Sequence, residues 1–235
     1  MKYKSRAITL TYIKQGETSI ISKILTEERG LQTFIVKGVR SKNSKKKLSY
    51  FEPLKLLNIN ATFNPKQSLQ YLGEITINAR FEEKKNKIQE KFLGFFIAEV
   101  NSKVLQENEQ NTMLFNFIWR VARGLCCSEK TDPNFALKYL LNLSKLLGFY
   151  PSSSEINKPF FNIENGGFCD KDHNSKMCIN KQKSSYLKAL LNKQKVFIPQ
   201  AQRSELLKEL MLYYKLHHYN LDGITSHLVI ETLRT

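Results

Sequence analysis

The densest group of functional side chains in the sequence is a run of cations between residues 37 and 47. Six of these eleven residues are basic, namely Lys37, Arg40, Lys42, Lys45, Lys46 and Lys47. Lysine and arginine neutralise phosphates and release condensed counterions, which gives binding that depends on salt and is blind to base sequence. The serine and asparagine side chains between them can donate hydrogen bonds to phosphate oxygens. The run therefore predicts a nucleic-acid-binding loop, and the alternative is a solvated charged loop.

Aromatic residues lie close to this run in the sequence, and bases stack on such rings in single-strand-binding β-barrels. The candidates are Tyr3, Tyr12, Phe34, Tyr50 and Phe51. Most strand aromatics belong to a core, and the sequence leaves open which of these rings are exposed.

A second group, spaced C-x3-H-x4-C, has residue types that could bind a metal. Cys169, His173 and Cys178 place three soft ligands within ten residues. Structural zinc normally takes four ligands, commonly as two close pairs, and neither cysteine here belongs to a C-x2-C pair. We therefore expect no metal and no cofactor. A metal-dependent enzyme built on these three residues is the alternative.

Sequence motifs of the common enzyme classes are missing. The chain has no Walker loop, no G-x-G-x-x-G, no G-x-S-x-G and no H-E-x-x-H. No carboxylate is spaced to form a catalytic dyad with His217 or His218. We expect a binding protein rather than an enzyme.

The net charge of the chain indicates which class of molecule it binds. The 235 residues carry 37 Lys+Arg against 21 Asp+Glu, a net charge of +16. Residues 1–80 hold 15 Lys+Arg and 5 Asp+Glu, so the excess is concentrated there. Such an excess favours a polyanion as partner. No stretch has the length of a membrane span and the N-terminus does not have the pattern of a signal peptide, so we expect a cytoplasmic protein without a membrane partner.

The hydrophobic period changes near residue 80 and predicts two kinds of structure. Apolar residues alternate before it, which predicts strands at 7–13, 19–26, 31–39, 54–63 and 69–79. Afterwards they recur every three to four residues, which predicts helices near 88–104, 114–125, 134–147, 186–191, 204–217 and 223–233. Asp132-Pro133 is a candidate start for the third helix, and a Gly-Gly turn predicts a small β-hairpin within 159–183. The resulting fold is α+β, with a β-domain at 1–80 and a helical domain at 81–235.

The order of three segments resembles the bacterial RecO family of recombination mediators. The first is the strand that ends in Lys37-Gly38-x-Arg40, followed by the basic loop and Phe51-Glu52-Pro53-Leu54. The second is the helical stretch that ends in Leu147-Gly148-Phe149-x-Pro151. The third is the C-terminal pattern of Leu206, Leu210, Tyr214, His217 and Leu228.

This resemblance implies a five-stranded OB-fold barrel followed by an α-helical domain. It also implies binding of single- and double-stranded DNA, annealing of complementary strands without ATP, and loading of recombinase together with RecR. The family's basic strand end and loop match the six cations of residues 37–47. Whether RecF takes part stays open, and an RNA-binding OB-fold protein is the alternative function.

The resemblance also implies a site for the acidic, Phe-terminated tail of the single-stranded-DNA-binding protein (SSB). By position this site falls near Phe135, Lys138 and Leu141, although the usual arginine at the start of that helix is not evident. Many relatives carry a four-cysteine zinc module where this chain has its hairpin. Because the C-x2-C pairs are absent, we expect a metal-free remnant whose core residues are Phe160, Phe161, Ile163 and Phe168.

Overall fold

A closed barrel of five strands comes first in the chain and is followed by helices and a small sheet. The computed structural model describes residues 1–41, 46–78, 88–127, 131–170 and 177–226. Within these ranges the chain forms two compact units, one of residues 1–127 with 224–226 and the other of residues 131–223. The predicted α+β class, with an N-terminal five-stranded barrel and a helical part after it, is confirmed.

The barrel strands are β1 (Lys2–Gln15), β2 (Ser19–Thr26), β3 (Gly30–Val36), β4 (Leu56–Thr62) and β5 (Gln70–Ile77). Their order around the barrel is β1-β2-β3-β5-β4. All neighbours are antiparallel except β3 and β5, which run parallel. Alternate residues point inward and fill the core, which includes Ala7, Ile20, Ile24, Phe34, Val36, Leu57 and Ile59.

The first strand is longer than its alternating pattern predicts because it pairs on both sides of the barrel. Residues 2–8 pair with β4, and residues 7–15 pair with β2. The register with β2 shifts between Thr9 and Thr11. A bulge of this kind bends a strand and increases its twist, which lets β1 take part in both halves of a closed sheet. A short 3-10 helix, Leu48–Phe51, adds Phe51 to the barrel core.

Two helices complete the first unit, α1 (Ile88–Val104) and α2 (Thr112–Cys127). The buried side chains of α1 include Leu93, Phe96, Ile97 and Val100, which follow the spacing that predicts one apolar helix face. The segment between the helices reaches the barrel, where Asn108 N donates to Leu31 O at 3.0 Å. No helix in the described part of the chain is long and apolar enough to cross a membrane.

The second unit contains α3 (Phe135–Leu146), α4 (Lys181–Leu191) and α5 (Gln200–Leu216) with a sheet of three short strands. The strands are β6 (Phe160–Asn162), β7 (Gly167–Cys169) and β8 (Cys178–Ile179), in the order β7-β6-β8. The predicted hairpin is β6 and β7, to which β8 adds a third strand. The Tyr214 hydroxyl donates to Leu140 O at 2.6 Å and thereby joins α5 to α3.

Four helix starts differ from the sequence prediction, and two of these differences are simple extensions, since α2 begins two residues and α5 four residues earlier than predicted. The third helix begins at Phe135 rather than at Pro133, because Asp132 closes a separate turn in which its Oδ1 accepts from Asn134 N at 2.8 Å. The fourth begins at Lys181, five residues earlier than predicted, because the Asn180 side chain caps it by accepting from Lys183 N. The helix predicted at 223–233 lies mostly outside the described residues, as does Leu228.

Candidate nucleic-acid interface

The end of β3 presents two of the six predicted cations to solvent. Lys37 and Arg40 are both exposed in the turn that follows the strand. This turn is closed by Ser41, whose N and Oγ both donate to Gly38 O, at 3.1 and 2.7 Å. Gly38 has a φ of +68°, a conformation that a side chain at this position would disfavour.

Arg40 also ties this turn to the turn between β1 and β2. Its backbone N donates to Thr18 O at 2.9 Å, and its Nη1 donates to Gly16 O at 3.0 Å. The two turns therefore lie side by side at one end of the barrel. The acceptor of this side-chain bond is a neutral carbonyl oxygen, which does not cancel the positive charge of the guanidinium. Arg40 is therefore held in position and remains available to a phosphate.

Lys46 and Lys47 differ in their surroundings although they are adjacent in sequence. Lys46 is partly buried, and its Nζ donates to Leu72 O in β5 at 2.6 Å. This burial lowers the pKa of the Lys46 ammonium. Lys47 is exposed. Lys42 and Lys45 lie outside the described residues, so the structure places four of the six predicted cations.

The aromatic rings considered from sequence are not the exposed ones. Phe34 and Phe51 are fully buried, and Tyr3, Tyr12 and Tyr50 are partly buried against the barrel core. The exposed ring of the barrel is that of Tyr71, a residue the sequence interpretation did not select. The available signal was alternation in β5, where the inward position of Leu72 requires that Tyr71 point outward.

Tyr71 lies beside the cation at the end of β3. The Lys37 Nζ is 5.8 Å from the centre of the Tyr71 ring. Ile35 of β3 is paired with Tyr71 across the parallel junction of the two strands. The structure thus combines a flat exposed ring with the exposed cations Lys37 and Arg40.

The C-x3-H-x4-C segment is only partly described. Cys169 Sγ and Cys178 Sγ are 4.0 Å apart, on the two strands that flank β6, while His173 lies outside the described residues. Among the described residues no group of three His, Cys, Asp or Glu side chains is arranged to hold a metal ion. The absence of a metal site stays a prediction. Phe161, Ile163 and Phe168 are buried and form the core of the small sheet, with Phe160 partly buried.

The residues predicted to bind an SSB tail lie at the start of α3. Phe135 and Lys138 are partly exposed, whereas Leu141 is buried and supports the helix from inside. Lys138 Nζ pairs with Asp132 Oδ2 at 2.5 Å. Arg203 of α5 also interacts electrostatically with Asp132, so two cations meet at this corner of the second unit. Sequence spacing does not reveal Arg203, because it is far along the chain from α3.

Comparison with known proteins covers both units. Residues 1–81 match the family model described as Recombination protein O N terminal, and residues 88–220 match Recombination protein O C terminal. The chain is 32% identical to the DNA repair protein RecO of Flavobacterium johnsoniae over 240 residues, which span 100% of this chain and 98% of that protein. It is 31% identical to the DNA repair protein RecO of Christiangramia forsetii over 223 residues, which span 92% of each.

Proposed function

The chain belongs to the RecO family of bacterial DNA repair proteins, and we propose that it binds DNA at the basic end of its barrel and anneals complementary strands without ATP. The observation that carries this proposal is the pair of exposed cations, Lys37 and Arg40, in the turn after β3, which Arg40 holds against the turn between β1 and β2. The four basic residues of 42–47 continue the same charged segment in sequence. Both single and double strands present the phosphates that such a surface binds.

Annealing on this surface requires no covalent chemistry. Two complementary strands repel each other through their phosphates, and cations that neutralise both strands lower this repulsion. The strands then meet at a raised local concentration and pair through their own bases. The protein therefore acts as a non-enzymatic mediator, and its site of action is the bacterial cytoplasm, where the chromosome lies.

We further propose that the second unit binds the acidic, Phe-terminated tail of SSB at the corner formed by Phe135, Lys138 and Arg203. Lys138 and Arg203 share the single carboxylate of Asp132, so this corner keeps a net positive charge that suits the tail's carboxylates, and the partly exposed Phe135 ring suits its terminal phenylalanine. Arg203 would thus take the place of the arginine that the start of α3 lacks. With RecR as partner, this contact directs the protein to SSB-coated strands for recombinase loading; a role for RecF is left open.

Annealing of two complementary oligonucleotides, without ATP or metal, tests the main proposal. We expect faster annealing than in buffer, both for bare strands and for strands coated with SSB. Annealing of bare strands alone would support DNA binding and contradict the SSB contact. No acceleration in either case would contradict the proposed function.

Charge variants test whether the barrel end is the site. K37Q/R40Q is expected to weaken binding of all DNA sequences alike. It should also reduce the slope of log K, the binding constant, against log salt concentration by about 2 in magnitude. The matched control is K91Q/K103Q, which removes two exposed charges of α1 in the same unit. Equal effects of both variants would show that net charge alone matters.

Titration with RNA of the same sequence in parallel separates DNA from RNA binding, because a strong preference for RNA would contradict the proposal.

A further inference from the structure

A row of apolar side chains crosses the outer surface of the barrel. Ile13 of β1 is paired with Ile21 of β2, Ile21 with Ile35 of β3, and Ile35 with Tyr71 of β5. Directly paired residues of neighbouring strands project to the same face of a sheet. The four residues therefore form one continuous rung over four strands, about 14 Å long at the usual strand spacing. We call it the outer row.

The outer row faces solvent rather than the core. Ile13 is 63% exposed and Tyr71 is 50% exposed, and Ile21 and Ile35 between them are partly exposed. Their sequence neighbours on the other face, such as Ile20 and Phe34, are fully buried. The barrel is otherwise rich in charged residues, so this contiguous strip of exposed apolar side chains indicates a binding surface.

Cations border the outer row on both sides. Lys37, two residues after Ile35, places its Nζ 5.8 Å from the Tyr71 ring centre. On the other side the next rung contains Lys23, which is paired with Thr11 and Thr33. Arg40 extends the charge toward the turn that follows β1, through its bond to Gly16 O. An occupant that fits this surface has flat apolar faces and negative charges at close intervals, which describes single-stranded nucleic acid.

We propose that the outer row is the base-contacting surface of this protein, where the Tyr71 ring stacks on an unpaired base and Lys37 binds the adjacent phosphate. This inference rests on the proposed DNA-binding function and divides it into two parts. The cations attract any strand through its phosphates, whereas the outer row contacts only bases that are not already stacked in a duplex. The row therefore makes the protein favour single strands, the substrates of annealing.

Binding of three fluorescent ligands to Y71A tests this division. The ligands are oligo(dT), an abasic strand of the same length and charge, and a blunt duplex. Loss of a stacked ring should weaken oligo(dT) binding about tenfold, in line with other base–aromatic contacts. Affinity for the abasic strand and for the duplex should stay at the wild-type value, because those ligands offer phosphates without an accessible base.

Two control variants accompany Y71A. Y71F keeps the ring and should retain the wild-type affinity for oligo(dT). Y150A removes another exposed tyrosine, which is 37% exposed and, like Tyr71, has a lysine beside its ring, with Lys145 Nζ 5.7 Å from the ring centre. Y150A should not change binding of any of the three ligands.

Each of the other possible results would contradict one part of this proposal. Equal weakening for oligo(dT) and the abasic strand would overturn base stacking, since Tyr71 would then act on the phosphates or on the fold. Unchanged oligo(dT) binding by Y71A would overturn the inference while leaving the proposed function intact. In that case a change in the sedimentation of Y71A would identify the outer row as a protein interface. If wild-type protein binds none of the ligands, the proposed function itself fails.

Discussion

The guanidinium carbon of Arg6 lies 4.9 Å from the centre of the Trp119 ring. Arg6 belongs to β1 and Trp119 to α2, so the contact joins the barrel to a helix within the first unit. The same guanidinium donates from Nε to Glu27 Oε2 at 2.8 Å and from Nη2 to Asn116 Oδ1 at 3.3 Å. Trp119 is the only tryptophan in the chain. Its fluorescence therefore reports directly on this junction.

Replacing Arg6 by alanine should loosen α2 from the barrel. R6A loses the contact with the Trp119 ring and three side-chain hydrogen bonds, two to Glu27 and one to Asn116, and we expect a cost of about 1–3 kcal/mol in the free energy of unfolding. The measurement is urea unfolding followed by tryptophan emission, which should also shift to longer wavelength in folded R6A. R6K keeps the charge but not the planar fork and should fall between R6A and wild type. Wild-type stability of R6A would contradict a role for this junction.

The pair of Arg6 and Glu27 predicts how stability depends on pH. Hydrogen bonds from Arg6 lower the pKa of the Glu27 carboxyl below its ordinary value, against a smaller opposite effect of burial. The unfolded chain therefore takes up this proton first as the pH falls. The stabilisation is fully present above about pH 5 and is lost as the pH falls through the lowered pKa.

Comparison of wild type with E27Q measures this effect. Because Arg6 is partly exposed, we expect a difference of at most about 1 kcal/mol at neutral pH. The difference should shrink between about pH 5 and pH 3. A difference that is constant over this range would show that Glu27 does not titrate with a lowered pKa in the folded protein.

Two glycines with the same backbone conformation should respond differently to alanine. Gly30 has a φ of +64°, and an added Cβ would lie 1.9 Å from Glu109 O. Gly16 has a φ of +58°, and nothing lies within 4 Å of the corresponding position. G16A should cost about 1–2 kcal/mol for the left-handed backbone alone. G30A should cost about 2–5 kcal/mol, because the segment around Glu109 must also move. Equal unfolding free energies in urea would contradict the close approach at Gly30.

Substitution of Lys46 should affect the stability of the fold, whereas substitution of Lys47 should affect DNA binding. K46Q removes the bond to Leu72 O, so it should lower the free energy of unfolding by about 1 kcal/mol. K47Q removes an exposed charge, so it should leave stability unchanged and lower the salt slope of DNA binding by about 1. Urea unfolding and binding titrations at several salt concentrations check both variants. A loss of stability in K47Q, or none in K46Q, would contradict their different placement.

Local sequence patterns predict the strands and helices, whereas pairing between distant segments determines which side chains meet at the candidate site. The alternation in SIISKILT predicts β2 with the limits that the structure has, Ser19–Thr26. No local pattern indicates that β3 pairs in parallel with β5, because this contact joins segments more than thirty residues apart. Tyr71 meets Lys37 only through that pairing, and Arg203 meets Asp132 only through packing of the second unit. The charge of residues 37–47 was therefore evident from sequence, whereas the exposed ring beside it was not.

The junction of β3 and β5 also determines where the barrel opens most easily. Only two residue pairs join these strands, Phe34 with Gln70 and Ile35 with Tyr71, whereas eight pairs join β1 and β2. Short junctions have low opening free energies, so amide hydrogen exchange should be fastest there among the barrel strands. A DNA strand that lies over Ile35 and Tyr71 spans this junction from outside. Binding would then slow the local opening, and the ligand would act as a sixth element that keeps the barrel closed.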